Sequence, residues 1–135
     1  MNKDSVVILG GARTPIGGFQ GVFSNTPAPA LGVLAARAAL ERAGLNPADN
    51  DAGIDDVLIG CVLPAGLAQA PARQVALGAG LSVTTPCTTV NKMCGSGMKT
   101  VMMGMDQILA GHADTVLAGG IENMTMAPYL IPKAR

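Results

Sequence analysis

Cys61, Cys87, Cys94 and His112 are the reactive inventory of this 135-residue chain, and among them Cys94 stands where a nucleophile could form. It lies in Val90-Asn91-Lys92-Met93-Cys94-Gly95-Ser96-Gly97-Met98-Lys99, a stretch that joins two regular patterns. Upstream, Val83 to Val90 is rich in β-branched residues and predicts a short, mostly buried strand. Downstream, Met98, Val101, Met102, Met105, Ile108 and Leu109 recur at helical spacing, and Gly111 supplies a stop. Cys94 is thereby placed where a strand turns into a helix, beside the helix's free N–H groups and positive dipole end. Such a position favours the thiolate, the nucleophilic form of cysteine. Gly95 and Gly97 lack Cβ, so a substrate or another chain can approach the backbone closely. Lys92 and Lys99 add positive charge nearby. The chemistry this suggests is covalent attack by Cys94 from a sharp turn.

Other chemistries fit less well. Most cysteines are inert core filler, and spacing alone leaves that reading of Cys94 open. The Walker loop needs Gly-Lys-Ser/Thr, where this chain has Gly97-Met98-Lys99-Thr100, and a dinucleotide loop needs Gly or Ala where Thr100 stands. The three cysteines have no paired close spacing and His112 is the single histidine, a poor inventory for zinc. Asp49, Asp51, Asp55 and Asp56 lack the spacing and terminal Glu of a calcium loop, so a solvated turn is expected and no metal site. His112 follows the helix that begins near Cys94, at its opposite end, and is assigned to the surface.

The elements that must position Cys94 follow from the apolar pattern. Ser5 to Leu9 is a continuous apolar run closed by Gly10-Gly11, as expected of a strand buried on both faces. A glycine-rich loop runs to Thr26, in which Arg13 is an internal anchor or a solvated charge. A helix starts close to Ala28, buries Leu31, Leu34, Ala35 and Ala38, and stops at Gly44. After the polar turn Asn46–Gly53 come a strand over Val57–Leu63 and a helix that buries Ala72, Val75, Ala76 and Ala79 and ends at Gly80. The strand containing Cys87 is third, and Thr115–Ala118 is the fourth. Between them the Met98, Met102 and Met105 stripe of the central helix reads as core packing. The order βαβαβαβ predicts an α/β fold, a mostly parallel sheet covered by helices through right-handed crossovers.

Composition sets outer bounds. With 49% hydrophobic but only 2% aromatic residues, the core must be built from Ala, Val, Leu, Ile and Met. A formal net charge of zero argues against a nucleic-acid or membrane-surface partner. The charge-free runs are broken by Pro, Gly and Thr, so no membrane span is expected, and the apolar run near Met1 is too short for a signal peptide. Three cysteines without a pairing pattern fit a reduced, cytoplasmic protein.

The segment Asn91-Lys-Met-Cys94-Gly-Ser-Gly97-Met-Lys resembles the active-site signature of the thiolases, most closely the acetyl-CoA acetyltransferases. Further segments agree in the same order: Val7-Ile-Leu-Gly-Gly-Ala-Arg-Thr-Pro-Ile-Gly17, Gln69-Ala-Pro-Ala-Arg73-Gln, Leu117-Ala-Gly-Gly-Ile-Glu-Asn-Met124 and Ala127-Pro-Tyr-Leu130. The resemblance implies that Cys94 attacks an acyl-CoA thioester and carries the acyl group, with its backbone N–H in an oxyanion hole. It implies acetyl-CoA and CoA as substrates with no permanently bound cofactor, Asn91 in a structural part and Arg13 as an internal anchor. It also implies an oligomer formed through the strand Val83–Val90. Residues 1–120 correspond to the family's N-terminal α/β domain, and 121–135 to the start of the segment leading to its CoA-binding loop. No CoA-binding residue is assignable. The family's Gly-His-Pro histidine, its Cys-x-Gly cysteine, the fifth strand and the second domain are not matched within these residues. The expectation is the N-terminal part of a thiolase, a fragment or a truncated product, without full turnover by itself. A longer-chain 3-ketoacyl-CoA thiolase and a non-catalytic domain are the competing readings.

Overall fold

A computed structural model describes residues 6–47 and 53–133. It contains α1 (Ala28–Arg42), β1 (Asp56–Gly60), α2 (Pro71–Ala79), β2 (Cys87–Val90), α3 (Ser96–Leu109), β3 (Val116–Gly120) and a short 3-10 turn at Met124–Met126. The three strands are parallel in the order β2-β1-β3. Register pairs Val57 with Cys87 on one side and with Leu117 on the other.

The central strand β1 is buried along nearly its whole length because helices cover both faces. Its side chains alternate accordingly. Val57 and Ile59 join the apolar cluster made with Ala72, Val75, Ala76 and Ala79 of α2, and Ala36 and Leu40 of α1 extend that cluster outward. Gly60, on the opposite face, meets the first turn of α3. The sheet therefore lies between α3 and α2, with α1 packed behind α2.

The glycine stops hold as expected. Gly44, Gly80 and Gly111 all have positive φ, and each is followed by a residue whose N–H reaches back to a carbonyl of the last helical turn. Pro27 precedes α1 and Pro71 opens α2, where a missing N–H is harmless.

Five expectations are corrected. The strand expected over Val83–Val90 begins only at Cys87 and is half-buried, because the chain before it closes a turn in which Thr85 N donates to Ser82 O at 3.2 Å, and Val83 is exposed. Residues 6–9 are not a strand, and Val7, Ile8 and Leu9 are exposed (Ser5 falls outside the described residues). Both positions beside β1 are taken by β2 and β3, so this apolar run has no place next to the central strand. It leads instead to the end of α1, where Arg42 Nη1 donates to Gly11 O at 2.7 Å. On α1 the buried line is displaced from the expected one, with Leu31, Ala35 and Ala38 half-buried, and α3 faces the other way round. α1 buries Gly32, Ala36 and Leu40 while Leu34 is exposed; α3 buries Ser96, Thr100 and Gly104 while Met98, Met102 and Met105 are exposed. Small residues let a helix approach its neighbour closely: a Cβ on Gly32 would meet Val75 Cγ2 at 2.7 Å, and one on Gly104 would meet Val116 Cγ1 at 3.2 Å. Arg13 is exposed and has no hydrogen-bond partner among the described residues.

Of the acidic turn, Asp49 and Asp51 fall outside the described residues. Asp55 and Asp56 serve the fold. Asp55 Oδ2 accepts from the N–H groups of Asp114 and Thr115 at 2.7 and 2.9 Å, and Asp56 Oδ2 accepts from Gln107 Nε2 at 2.8 Å. His112 is exposed, as expected.

Candidate active site at the strand-to-helix turn

Cys94 is exposed in the turn between β2 and α3, while Cys61 is buried and Cys87 half-buried. The turn owes its shape to Met93, which has a positive φ of 48°. That conformation crowds the Cβ of an ordinary residue and needs support from its surroundings. The support is visible on each side. Asn91 Oδ1 accepts from Met93 N at 3.1 Å, and Met93 O accepts from Ser96 N at 3.0 Å and from Ser96 Oγ at 2.6 Å. Ser96 Oγ in turn accepts from Lys92 N at 2.8 Å, and Lys92 O accepts from Gly95 N at 3.1 Å. Asn91 thus takes the structural part expected of it.

Directly after the turn, α3 begins at Ser96 behind Gly95, with no side-chain cap. The first helical turn is pressed onto the sheet by three glycines. A Cβ on Gly60 would stand 2.5 Å from Ser96 C and 2.6 Å from Gly97 N, and one on Gly120 would stand 3.0 Å from Gly97 Cα. Thr100, fully buried, shares its hydroxyl proton between Gly97 O at 2.7 Å and Gly119 O at 2.9 Å. The positive end of the α3 dipole is consequently held at one place beside Cys94. The Lys92 ammonium sits close to Gly95, Nζ being 3.8 Å from where a Gly95 Cβ would be.

The other two thiols have their pKa values raised. Burial pushes the Cys61 thiol up, and the charge of Glu122 adds to this against a smaller opposing hydrogen bond from the Leu63 backbone. Burial also raises Cys87; the charge of Arg73 lowers it in part, Asp56 raises it, and a hydrogen bond with Arg73 lowers it. No group of three or more His, Cys, Asp or Glu that could hold a metal occurs among the described residues. No helix there is long and apolar enough to cross a membrane.

A family model described as the thiolase N-terminal domain matches residues 6–135. The chain belongs to the thiolase family. It is 50% identical over 130 residues to the mitochondrial acetyl-CoA acetyltransferase B of Xenopus laevis, a match covering 96% of this chain and 30% of that protein. The acetyl-CoA acetyltransferase of Schizosaccharomyces pombe is 48% identical over 135 residues, covering 100% of this chain and 33% of the relative. That of Cupriavidus necator is 48% identical over 130 residues, covering 96% and 32%. This thiolase chain therefore spans about a third of the length of these curated relatives. One of them is named mitochondrial, so the cytoplasmic expectation gains nothing from the comparison.

Two residues of this thiolase turn were not singled out from the sequence. Gly60 lies inside the apolar run Val57–Leu63 and carries no sign of its own there, yet its missing side chain is what lets the backbone of Ser96 and Gly97 reach the sheet. Glu122, the first charge after the apolar run of β3, accepts from Val62 N at 2.9 Å and Leu63 N at 3.3 Å. A lone carboxylate following a strand was the available signal.

Proposed function

We propose that this chain is the N-terminal part of an acetyl-CoA acetyltransferase in which Cys94 receives the acetyl group. The Cys94 thiolate attacks the thioester carbonyl, a new carbon–sulfur bond forms, and the carbon–sulfur bond to CoA breaks. CoA leaves as a thiolate and takes up a proton. The methyl carbon of a second acetyl-CoA then gives up a proton to a base and attacks the acyl carbonyl. A carbon–carbon bond forms, the bond to Cys94 Sγ breaks, the Cys94 thiolate is regenerated and acetoacetyl-CoA leaves, or the reverse sequence runs as thiolysis. The supporting observation is the exposure of Cys94 at the head of α3, within a turn held on both sides by hydrogen bonds. The names of the relatives supply the acetyl-CoA part of the reading. Residues 1–120 make the α/β domain, and 121–135 lead toward the CoA-binding region. The edge strand β2 is the surface proposed for pairing between copies, within a reduced compartment such as the cytoplasm.

The test is incubation of the chain with acetyl-CoA followed by peptide mass mapping. An acetyl thioester on Cys94, lost on hydroxylamine treatment and in Cys94→Ser, is the expected result. Acetylation confined to lysines, or equal on Cys61 or Cys87, overturns the assignment. Steady formation of acetoacetyl-CoA by these 135 residues alone overturns the view that further groups are needed.

A further inference from the structure

Glu122 lies two residues beyond β3, in a different part of the chain from Cys94, yet an unbroken series of hydrogen bonds joins it to Met93, the residue before Cys94. Its carboxylate grips two successive backbone N–H groups at the point where the chain leaves β1: Oε2 accepts from Val62 and Oε1 from Leu63. The peptide unit between Val62 and Leu63 is held at both ends, because its carbonyl accepts from Asn91 Nδ2 at 3.2 Å. Asn91 is thereby fixed with its other polar atom, Oδ1, on Met93 N. Met93 is the left-handed residue from which Cys94 projects.

We infer that Glu122 is a positioning residue for Cys94, acting through the Val62–Leu63 peptide and Asn91 to keep Met93 in its left-handed conformation. Hydrogen bonds to an ionised acceptor are roughly twice as strong as neutral ones, and linked hydrogen bonds polarise one another. The charge of Glu122 is spent on the peptide whose carbonyl Asn91 uses. A carboxylate has two oxygens for two N–H groups; a carboxamide would turn an N–H toward one of them. Glu122→Gln therefore slackens the series at its origin. Replacement of Asn91 cuts it in the middle.

The inference rests on the reading of Cys94 as the acyl acceptor, but its first readout does not. Hydrogen exchange at the Met93 amide is measured in the full chain, in Glu122→Gln, in Asn91→Ala and in the double variant. The expected result is exchange faster by about tenfold or more in Glu122→Gln, on the scale of one charge-assisted hydrogen bond, with the amides of Val57–Ile59 unchanged. The double variant exchanges no faster than Asn91→Ala. Unchanged Met93 exchange in Glu122→Gln, or additive effects in the double variant, overturns the inference. Should Glu122→Gln not fold, as judged by labelling of Cys61, Glu122→Asp is read instead; its shorter side chain cannot span both N–H groups, and the same acceleration is required of it. The second readout separates the two proposals. Acetylation of Cys94 by acetyl-CoA falls about tenfold in Glu122→Gln, while alkylation by the small reagent iodoacetamide, which is indifferent to orientation, stays within about twofold. No acetylation of the unaltered protein defeats the acyl-acceptor reading alone, whereas equal acetylation of both proteins defeats the positioning role.

Discussion

Three thiols in one small domain have three different surroundings, and their reactivity should separate accordingly. A small alkylating reagent at neutral pH is expected to label Cys94 first, because Cys61 is buried and Cys87 half-buried and burial pushes both of those thiols up. Peptide mapping after brief labelling measures the order; Cys61 or Cys87 reacting ahead of Cys94 in folded protein contradicts it. The sign of the pH effect follows from the same shifts. Each raised thiol ionises later in the folded chain than in the unfolded one, so below the ordinary thiol range neither group makes stability depend on pH. As pH climbs through that range the unfolded chain loses its protons first, and the fold weakens. Urea midpoints should thus fall in mild alkali, and the fall should shrink when Cys61 is replaced by Ala.

At the scale of elements, the position of Cys94 depends on how near α3 comes to β1. Gly60 decides that distance, since any Cβ there meets the backbone of Ser96 and Gly97 rather than a flexible side chain. Gly60→Ala is expected to cost about 1–3 kcal/mol, as overpacking of a close contact does, and to disturb the Cys94 turn in proportion. Gly11→Ala is the comparison: nothing lies within 4 Å of its Cβ position, and a change within about 0.5 kcal/mol is expected. Urea unfolding of both variants is the measurement, and equal midpoints would show that α3 can shift without cost. The bland outer face of α3 belongs to the same account. Once Ser96, Thr100 and Gly104 are committed to the sheet, helical geometry turns Met98, Met102 and Met105 outward.

For the whole molecule, the outer edges of β2 and β3 have no strand partner among the described residues, and both are open to pairing with another chain. Exposed Met98, Val101, Met102 and Met105 add a contiguous apolar helix face of the kind that marks association. The isolated chain is expected to self-associate. Sedimentation over a wide concentration range distinguishes two forms: a discrete dimer points to β2, and larger, concentration-dependent species point to the β3 edge or the methionine face. Met98→Lys combined with Met105→Lys should shift the second form toward monomer. A monomer at every concentration is the outcome that contradicts the expectation.

The sequence by itself determined the parallel α/β class, the glycine stops, the buried face of α2 and the place of Cys94 at the head of α3, because each is written in local conformational preference or short-range periodicity. It also placed residues 6–9 in a strand and the methionines in the core, and there it misled. Apolar character states that a segment gains from cover; it does not state whether a partner stands beside it. Tertiary structure alone decided that small residues, not large ones, face inward on α3, and that Gly32 of α1 meets Val75, since close approach is a property of two surfaces together. It alone brought Glu122 to Val62 and Leu63, and through them to Asn91 and Met93. Those contacts span some sixty residues of sequence, and a chain read one window at a time carries no sign of which carboxylate will meet which peptide.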